Sequence, residues 1–255
     1  MTFRDFPVRE LSADESVFLY HDSASSRAEL SAVTAKLRVE KVAIVGLGGT
    51  GSYILDLIAK TPIQEIHLFD DDEILAHNAF RAPGAMSVDD LRESPKKVDY
   101  LAHQYGRLRR GIVVHDVKVS EEELSELSDM SFVFLSMDAG PAKRAIVHWL
   151  SERAIPFVDC GMGLTRVGNS LRGSLRVTAS GDGDAGRLDS RISYVDVDVD
   201  EYAANIQTAD LNMLNAALAV LKWKKLTGYY VDRKRESNIT FALASNQLIS
   251  GDLAQ

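Results

Sequence analysis

The chain has 255 residues, 45% of them hydrophobic, which supports one large packed domain and excludes global disorder. Its 37 acidic and 29 basic side chains leave a net charge of −8, which argues against nucleic acid or an acidic membrane as a partner, because either needs a basic face to offset phosphate. The opening residues Met1-Thr2-Phe3-Arg4-Asp5 lack the apolar core of a secretion signal, and no apolar run reaches the roughly 18 residues of a membrane span, so a cytoplasmic location is expected.

Residues 1–40 read as an N-terminal helical extension, with an Ala-, Leu-, Glu- and Lys-rich stretch over 26–37. Lys41-Val42-Ala43-Ile44-Val45 is a short apolar run ending at a glycine, the pattern of a buried parallel strand. A helix is predicted over 50–60, with Ile54, Leu57 and Ile58 on one face and Thr61-Pro62 as its stop. A second strand, 65–69, runs into Asp70-Asp71-Asp72. The pattern then repeats: helix 96–105, strand 112–115, strand 132–135, helix 141–153 and strand 156–159. Strands alternating with helices imply right-handed βαβ units, hence a Rossmann-like, doubly wound, mostly parallel sheet with helices on both faces. Beyond Cys160 the texture changes. A strand at 171–177, a Gly/Asp-rich loop at 181–186, a helix with Leu214, Leu218 and Leu221 on its face, and a strand at 238–243 suggest an antiparallel C-terminal decoration. Residues 41–255 therefore read as one nucleotide-binding domain.

Gly46-Leu47-Gly48-Gly49-Thr50-Gly51 follows a strand and opens a helix. Glycines there permit a tight turn and close approach of phosphate to backbone N–H groups, and the helix N-terminus adds partial positive charge. Asp70 lies 19 residues past the last of these glycines, at the end of the next strand, where a carboxylate can meet ribose hydroxyls. These features alone fit an NAD site. The remainder does not follow from NAD chemistry: Asp70, Asp72, Asn78 and Arg81 crowd one post-strand segment, Lys97 opens the next helix, and Asp138 follows a later strand. Such a set suits adenylation, in which Arg and Lys offset triphosphate charge, a carboxylate holds Mg2+, and charge moving onto pyrophosphate is stabilised.

With these motifs the chain resembles the E1-like activating enzymes, the group that includes ThiF, MoeB and the adenylation halves of eukaryotic E1 enzymes. The family's glycine loop is matched by Gly46, Gly48, Gly49 and Gly51 through Ser52, its D-x-D and N-x-x-R by Asp70, Asp72, Asn78 and Arg81, its helix-opening lysine by Lys97-Val98-Asp99, and its later aspartate by Asp138. Leu221-Lys222-Trp223-Lys224-Lys225-Leu226-Thr227-Gly228 is similar to its closing helix, so the resemblance covers about residues 41–228. It implies ATP and Mg2+ as cofactors, Asp138 as the metal ligand, and adenylation of the C-terminal carboxylate of a ubiquitin-like or sulfur-carrier-like protein, with an E2-like acceptor as a further partner. It also implies a homodimer in which a basic side chain, best matched by Arg27, reaches the partner's nucleotide.

The chain departs from the family at three points. Leu135-Ser136-Met137-Asp138-Ala139 keeps one aspartate where D-C-T-D-N is common, no C-x-x-C pair can hold a structural zinc, and Thr208 falls near the usual thioester cysteine. Cys160, the single cysteine, follows a predicted strand and reads as a small buried hydrophobe, so the reaction is expected to stop at the acyl-adenylate or to pass it directly to a partner's nucleophile. Competing readings are an NAD(P)-dependent oxidoreductase, an adenylating enzyme acting on a peptide or a tRNA base, and a non-catalytic scaffold. The last is disfavoured because the full charged set persists.

Overall fold

The computed structural model describes residues 8–23, 30–180, 185–194 and 206–251. Eight strands among them form one sheet in the order β3-β2-β1-β4-β5-β6-β7-β8. β1 (Lys41–Val45), β2 (Glu65–Phe69), β3 (Ile112–His115), β4 (Phe132–Leu135) and the start of β5 (Phe157–Val167) are parallel. β6 (Ser170–Ala179), β7 (Asn238–Ala242) and β8 (Gln247–Ser250) continue the sheet antiparallel. The expected doubly wound parallel sheet with a C-terminal antiparallel decoration is the fold of the protein.

Both faces of β1, β2, β4 and the start of β5 are dry, which is why they read as largely apolar runs, while the edge strand β3 is partly exposed. Alternate residues serve opposite cores. Val42, Ile44, Ile66, Leu68, Phe132 and Phe134 pack beneath the helices Gly49–Ile58, Lys97–Tyr105 and Ala209–Leu226. Ala43, Val45, Phe69, Val133, Leu135 and Phe157 pack on the other side, with Ile146, Val147 and Leu150 of helix Pro141–Glu152.

Two elements depart from the sequence reading. β5 does not stop at 159; it runs eleven residues and pairs with β6 from Val158↔Ala179 to Val167↔Ser170, turning at Gly168 with φ +60°. Gly161 serves packing: the Arg176 guanidinium lies against it, where a side chain would collide. The closing helix buries Asn212, Asn215, Ala216, Ala219 and Trp223, whereas Leu221 of the expected apolar face is 44% exposed. Small residues let this helix approach the Gly49–Ile58 helix closely, so its contact stripe is marked by size rather than hydrophobicity.

The described part of residues 1–40 contains a helical turn at Ser31–Thr34 continued as a 3-10 turn over Ala35–Leu37. Residues 8–23 instead fold back on themselves, bridging Glu10 to Tyr20 and Phe18 to Arg109. A buried ion cluster ties helix Pro141–Glu152 to the β5–β6 hairpin. Asp159, fully buried, lies 2.7 Å from Lys143 Nζ and 2.8 Å from Arg176 Nη2.

Candidate active site

The C-terminal ends of β1, β2 and β4 converge on one cleft. β1 ends at Gly46, whose φ of +88° turns the chain toward the helix N-terminus and which would strike the Ser136 carbonyl if it carried a side chain. Ser136, just past β4, donates its hydroxyl to the Gly46 carbonyl at 2.5 Å, fixing that turn. Gly48 caps the helix, and the space in front of its Cα is open. The first turn of N–H groups has no acceptor within the helix, so it presents donors and positive partial charge to that space. Gly49 and Gly51 face the protein instead: Gly51 abuts the Gly46 carbonyl, and Gly49 abuts the side chain of Asn212.

The residues after β2 act partly on the fold and partly on the cleft. Asp70 accepts the Leu47 N–H at 2.6 Å and the Asp72 N–H at 3.0 Å, tying the glycine loop to the end of β2. Lys97 is 6% exposed, with its ammonium 3.3 Å from Asp70 and 2.5 Å from Asp72. That hydrogen bond holds the Asp72 carboxyl below the ordinary carboxylate range. Asn78 is buried and accepts the Leu75 N–H at 2.8 Å, which shapes the short turn that delivers Arg81.

Arg81, Lys97, Asn78, Gly48 and Gly49 line the cleft together with aliphatic Leu47, Ile74 and Leu101. Arg81 is half-buried, and burial opposes its charge; the Asp138 and Asp72 carboxylates offset this in part. Its Nε is shut away from solvent with no hydrogen-bond partner. An anion in the cleft would answer both deficits. The structure thus gathers Gly46, Gly48, Asp70, Asp72, Asn78, Arg81 and Lys97 around one cleft, with exposed Asp138 within electrostatic reach of Arg81. Arg27 lies outside the described residues. A wider, open cleft between Arg144 and His148 of helix Pro141–Glu152 and Tyr194 holds none of the residues read from the sequence.

Asn212 was not visible in the sequence as a site residue. It is fully buried, accepts the Thr50 hydroxyl at 3.0 Å and donates to the Arg81 carbonyl at 3.3 Å. Only a second asparagine on the same helix face, Asn215, hints that the face is polar.

Neither nucleophile candidate is set up for covalent chemistry. Cys160 is buried in the core, where burial pushes its thiol up and away from the reactive thiolate. Thr208 is the N-cap residue of the closing helix, and its hydroxyl is shut away from solvent. We expect native protein to resist thiol-alkylating reagents until it is denatured, and Cys160→Ala to retain activity within about twofold, since a buried small side chain is replaced at nearly constant shape. Rapid labelling of native protein, or loss of activity in a folded Cys160→Ala variant, would contradict this.

Residues 24–184 match the model of the ThiF family, well over half of the chain. The chain belongs to the ThiF family. Among solved structures, PaaA superposes on this ThiF-family chain with a TM-score of 0.69 at 20% identity, over 100% of this chain and 78% of PaaA. E. coli MccB with AMPCPP and MccA gives 0.66 at 19% identity, over 88% of this chain and 66% of MccB. E. coli tRNA N6-threonylcarbamoyladenosine dehydratase, TcdA, in complex with AMP gives 0.61 at 18%, over 80% of this chain and 92% of TcdA. These likenesses establish a shared fold. A sequence match to the tRNA threonylcarbamoyladenosine dehydratase of Haemophilus influenzae is 38% identical over 53 residues, which is 21% of this chain and only 20% of that protein.

Proposed function

We propose that this ThiF-family chain is an ATP-dependent adenylating enzyme that activates the C-terminal carboxylate of a small ubiquitin-like or sulfur-carrier-like protein. The observation that carries the nucleotide part is Arg81, half-buried at some electrostatic cost, with an unpartnered Nε, in a cleft that also opens onto a helix N-terminus. AMPCPP and AMP in the MccB and TcdA structures support a nucleotide at this fold's site.

The residues present fit ATP: open space before Gly48 admits a phosphate, the Gly49–Ile58 helix supplies N–H donors, and Arg81 supplies a cation. ATP would supply the adenylyl group, with a new bond from a carboxylate oxygen to the α-phosphorus and release of pyrophosphate. Arg81 offsets the charge moving onto the departing phosphates. Lys97 lines the cleft and holds Asp70 and Asp72 in place, its own charge met by their carboxylates. Asp138 is exposed beyond β4 and makes no close ion pair among the described residues, so its carboxylate is free to hold Mg2+, which favours one or two carboxylates alongside phosphate oxygens. The carboxylates of Asp70, Asp71 and Asp72 also lie within 4.8 Å of one another, but Lys97 already supplies the cation to two of them.

ATP–pyrophosphate exchange tests this reading. Exchange should require a ubiquitin-like protein with a free C-terminal glycine and should vanish when that carboxylate is amidated. Protection by NAD(P) with no ATP-dependent exchange would replace it with the oxidoreductase reading. A second adenylating reading, on a tRNA base or peptide, draws support from the 53-residue match to a tRNA-acting protein; the net charge of −8 weighs against a nucleic-acid substrate.

A homodimer with Arg27 reaching the partner's nucleotide is part of the proposal, because triphosphate charge exceeds what Arg81, Lys97 and one Mg2+ offset in a dry site. Mixing Arg27→Ala with Asp138→Asn protein should then restore part of the activity that each lacks alone, through mixed dimers holding one intact site. No restoration despite confirmed subunit exchange would remove the shared arginine. The site in a cytoplasmic protein, with an E2-like acceptor downstream, completes the reading; among the described residues no helix is long and apolar enough to cross a membrane.

A further inference from the structure

Asn212 ties the phosphate loop to Arg81. Its amide lies at the start of the closing helix, fully buried, between two segments distant in sequence. Oδ1 accepts the hydroxyl of Thr50, the second residue of the loop helix, at 3.0 Å. Nδ2 donates to the main-chain carbonyl of Arg81 at 3.3 Å and to Gln207 Oε1 at 3.4 Å. The amide occupies the space that a side chain at Gly49 would need: a Cβ there would fall 2.5 Å from Asn212 Cγ and 2.8 Å from Oδ1, and nearer still to Nδ2. Nothing but Asn212 supplies the three nearest atoms to that Cβ. At Gly51 the obstruction is the Gly46 carbonyl, which is backbone and cannot yield.

We propose that Asn212 is a positioning residue for adenylation, that it sets the main chain from which Arg81 reaches the cleft, and that Gly49 is glycine in order to seat Asn212 rather than to admit phosphate. Arg81 gains its place through two backbone ties: its N–H donates to the Asn78 carbonyl at 3.1 Å, and its carbonyl accepts from Asn212. With the second tie lost, the guanidinium is carried by a turn held only through the Asn78 carbonyl, which accepts the Arg81 and Ala82 N–H groups. Charge stabilisation in a closed site depends on donors held in place before the reaction begins, so a looser Arg81 lowers the rate of the chemical step more than it lowers ATP binding. The closing helix follows directly on Gln207 and Thr208, and the Asn212 N–H donates to the Thr208 carbonyl at 3.0 Å. The start of that helix and the aim of Arg81 are therefore one mechanical unit.

The activity readout rests on the adenylating function proposed above, so ATP binding by the full chain is measured alongside it, by calorimetry with a non-hydrolysable ATP analogue. Two double-variant cycles decide the matter, one combining Asn212→Ala with Gly49→Ala (the double variant) and one combining it with Arg81→Ala, with Gly51→Ala as the control. Asn212→Ala should lower kcat for adenylate formation about tenfold or more while KM for ATP changes less than about threefold. Adding Arg81→Ala to Asn212→Ala should cost clearly less than Arg81→Ala costs alone, which a role confined to packing would not produce. Gly49→Ala alone should weaken analogue binding at least about tenfold, and the double variant should bind to within about threefold of Asn212→Ala, because the added methyl then has room. If Gly49→Ala does not fold, recovery of folded protein in the double variant carries the same meaning. Gly51→Ala should gain nothing from Asn212→Ala. A double variant no better than Gly49→Ala, or full additivity of Arg81→Ala and Asn212→Ala, overturns the proposal. Wild-type protein that binds no ATP analogue overturns the adenylating function instead.

Discussion

Replacing Arg81 with alanine should lower adenylate formation by roughly a hundredfold or more, which corresponds to about 3 kcal/mol of transition-state stabilisation, and should not lower thermal stability. Both halves follow from the same geometry. The guanidinium is half-buried with an unpartnered Nε, so the free enzyme holds it at some cost, and an anion whose charge grows as pyrophosphate departs gains most from it. Removing a poorly solvated, incompletely paired cation from the free protein relieves desolvation rather than breaking a favourable pair. Its structural contacts are made by the main chain and survive the substitution. The pair of measurements is single-turnover adenylate formation and a melting curve. A strongly destabilised but active Arg81→Ala protein would reverse the assignment, making the arginine a structural group.

Lys97→Met should behave differently, losing both activity and stability. The lysine is buried against Asp70, whose side chain is 8% exposed, and removing it strands a carboxylate with only its two backbone N–H partners. Breaking a buried pair in this way costs on the order of 3–5 kcal/mol, enough to leave a marginal domain partly unfolded at growth temperature. A lysine that merely opens a helix would be removable without harm to the fold; it is the burial against Asp70 that makes this one structural. The pH dependence adds a second signature. Lys97 lowers the Asp72 carboxyl below its usual 3.8, so the stability from that pair is present above that value and is lost as pH falls through the lower, folded one. In Lys97→Met this limb of the acid melting profile should shrink. A variant with wild-type melting temperature and an unchanged acid profile would show that the ion pairs contribute nothing.

The parallel half of the fold was legible because burial on both faces of its inner strands writes itself as mostly apolar runs, two of them closed by glycine or aspartate: Lys41–Val45 before Gly46 and Glu65–Phe69 before Asp70. The cleft was legible because ends of parallel strands share one edge of the sheet, so residues next to those ends must meet. What could not be read were contacts made by small or polar residues. β5 was cut short because Gly161 and Gly163 look like a stop, when Gly161 makes room for Arg176 from the neighbouring strand. The leucine pattern gives only part of the closing helix's inner face: Leu214 and Leu218 pack against the cores and Leu221 is exposed, while alanines and asparagines fill the buried stripe. Asn212 was missed for the same reason: its partners, Thr50 and Arg81, are set by tertiary geometry and leave no local spacing to find. β8 escaped because all four of its residues are exposed, so it carries no alternation between a wet and a dry side.

The length of β5 sets the reach required of whatever is brought to this cleft. Only Phe157–Asp159 pair with β4; the strand then runs on through Val167, paired within the sheet to β6 alone and touched by the closing helix at Gly161 and Leu164. Eight residues at about 3.3 Å each carry the hairpin roughly 25 Å past the edge of the parallel sheet where Arg81 and Gly48 lie. The hairpin packs on the start of the closing helix through Leu164, Leu175 and Leu211, next to Asn212 at the phosphate loop, and so adds bulk on that side of the cleft. A reactive group borne on a folded carrier is then best delivered on an extended arm, each residue of which spans about 3.3–3.6 Å. A carrier whose last ordered residue is also its reactive one would be stopped at the rim.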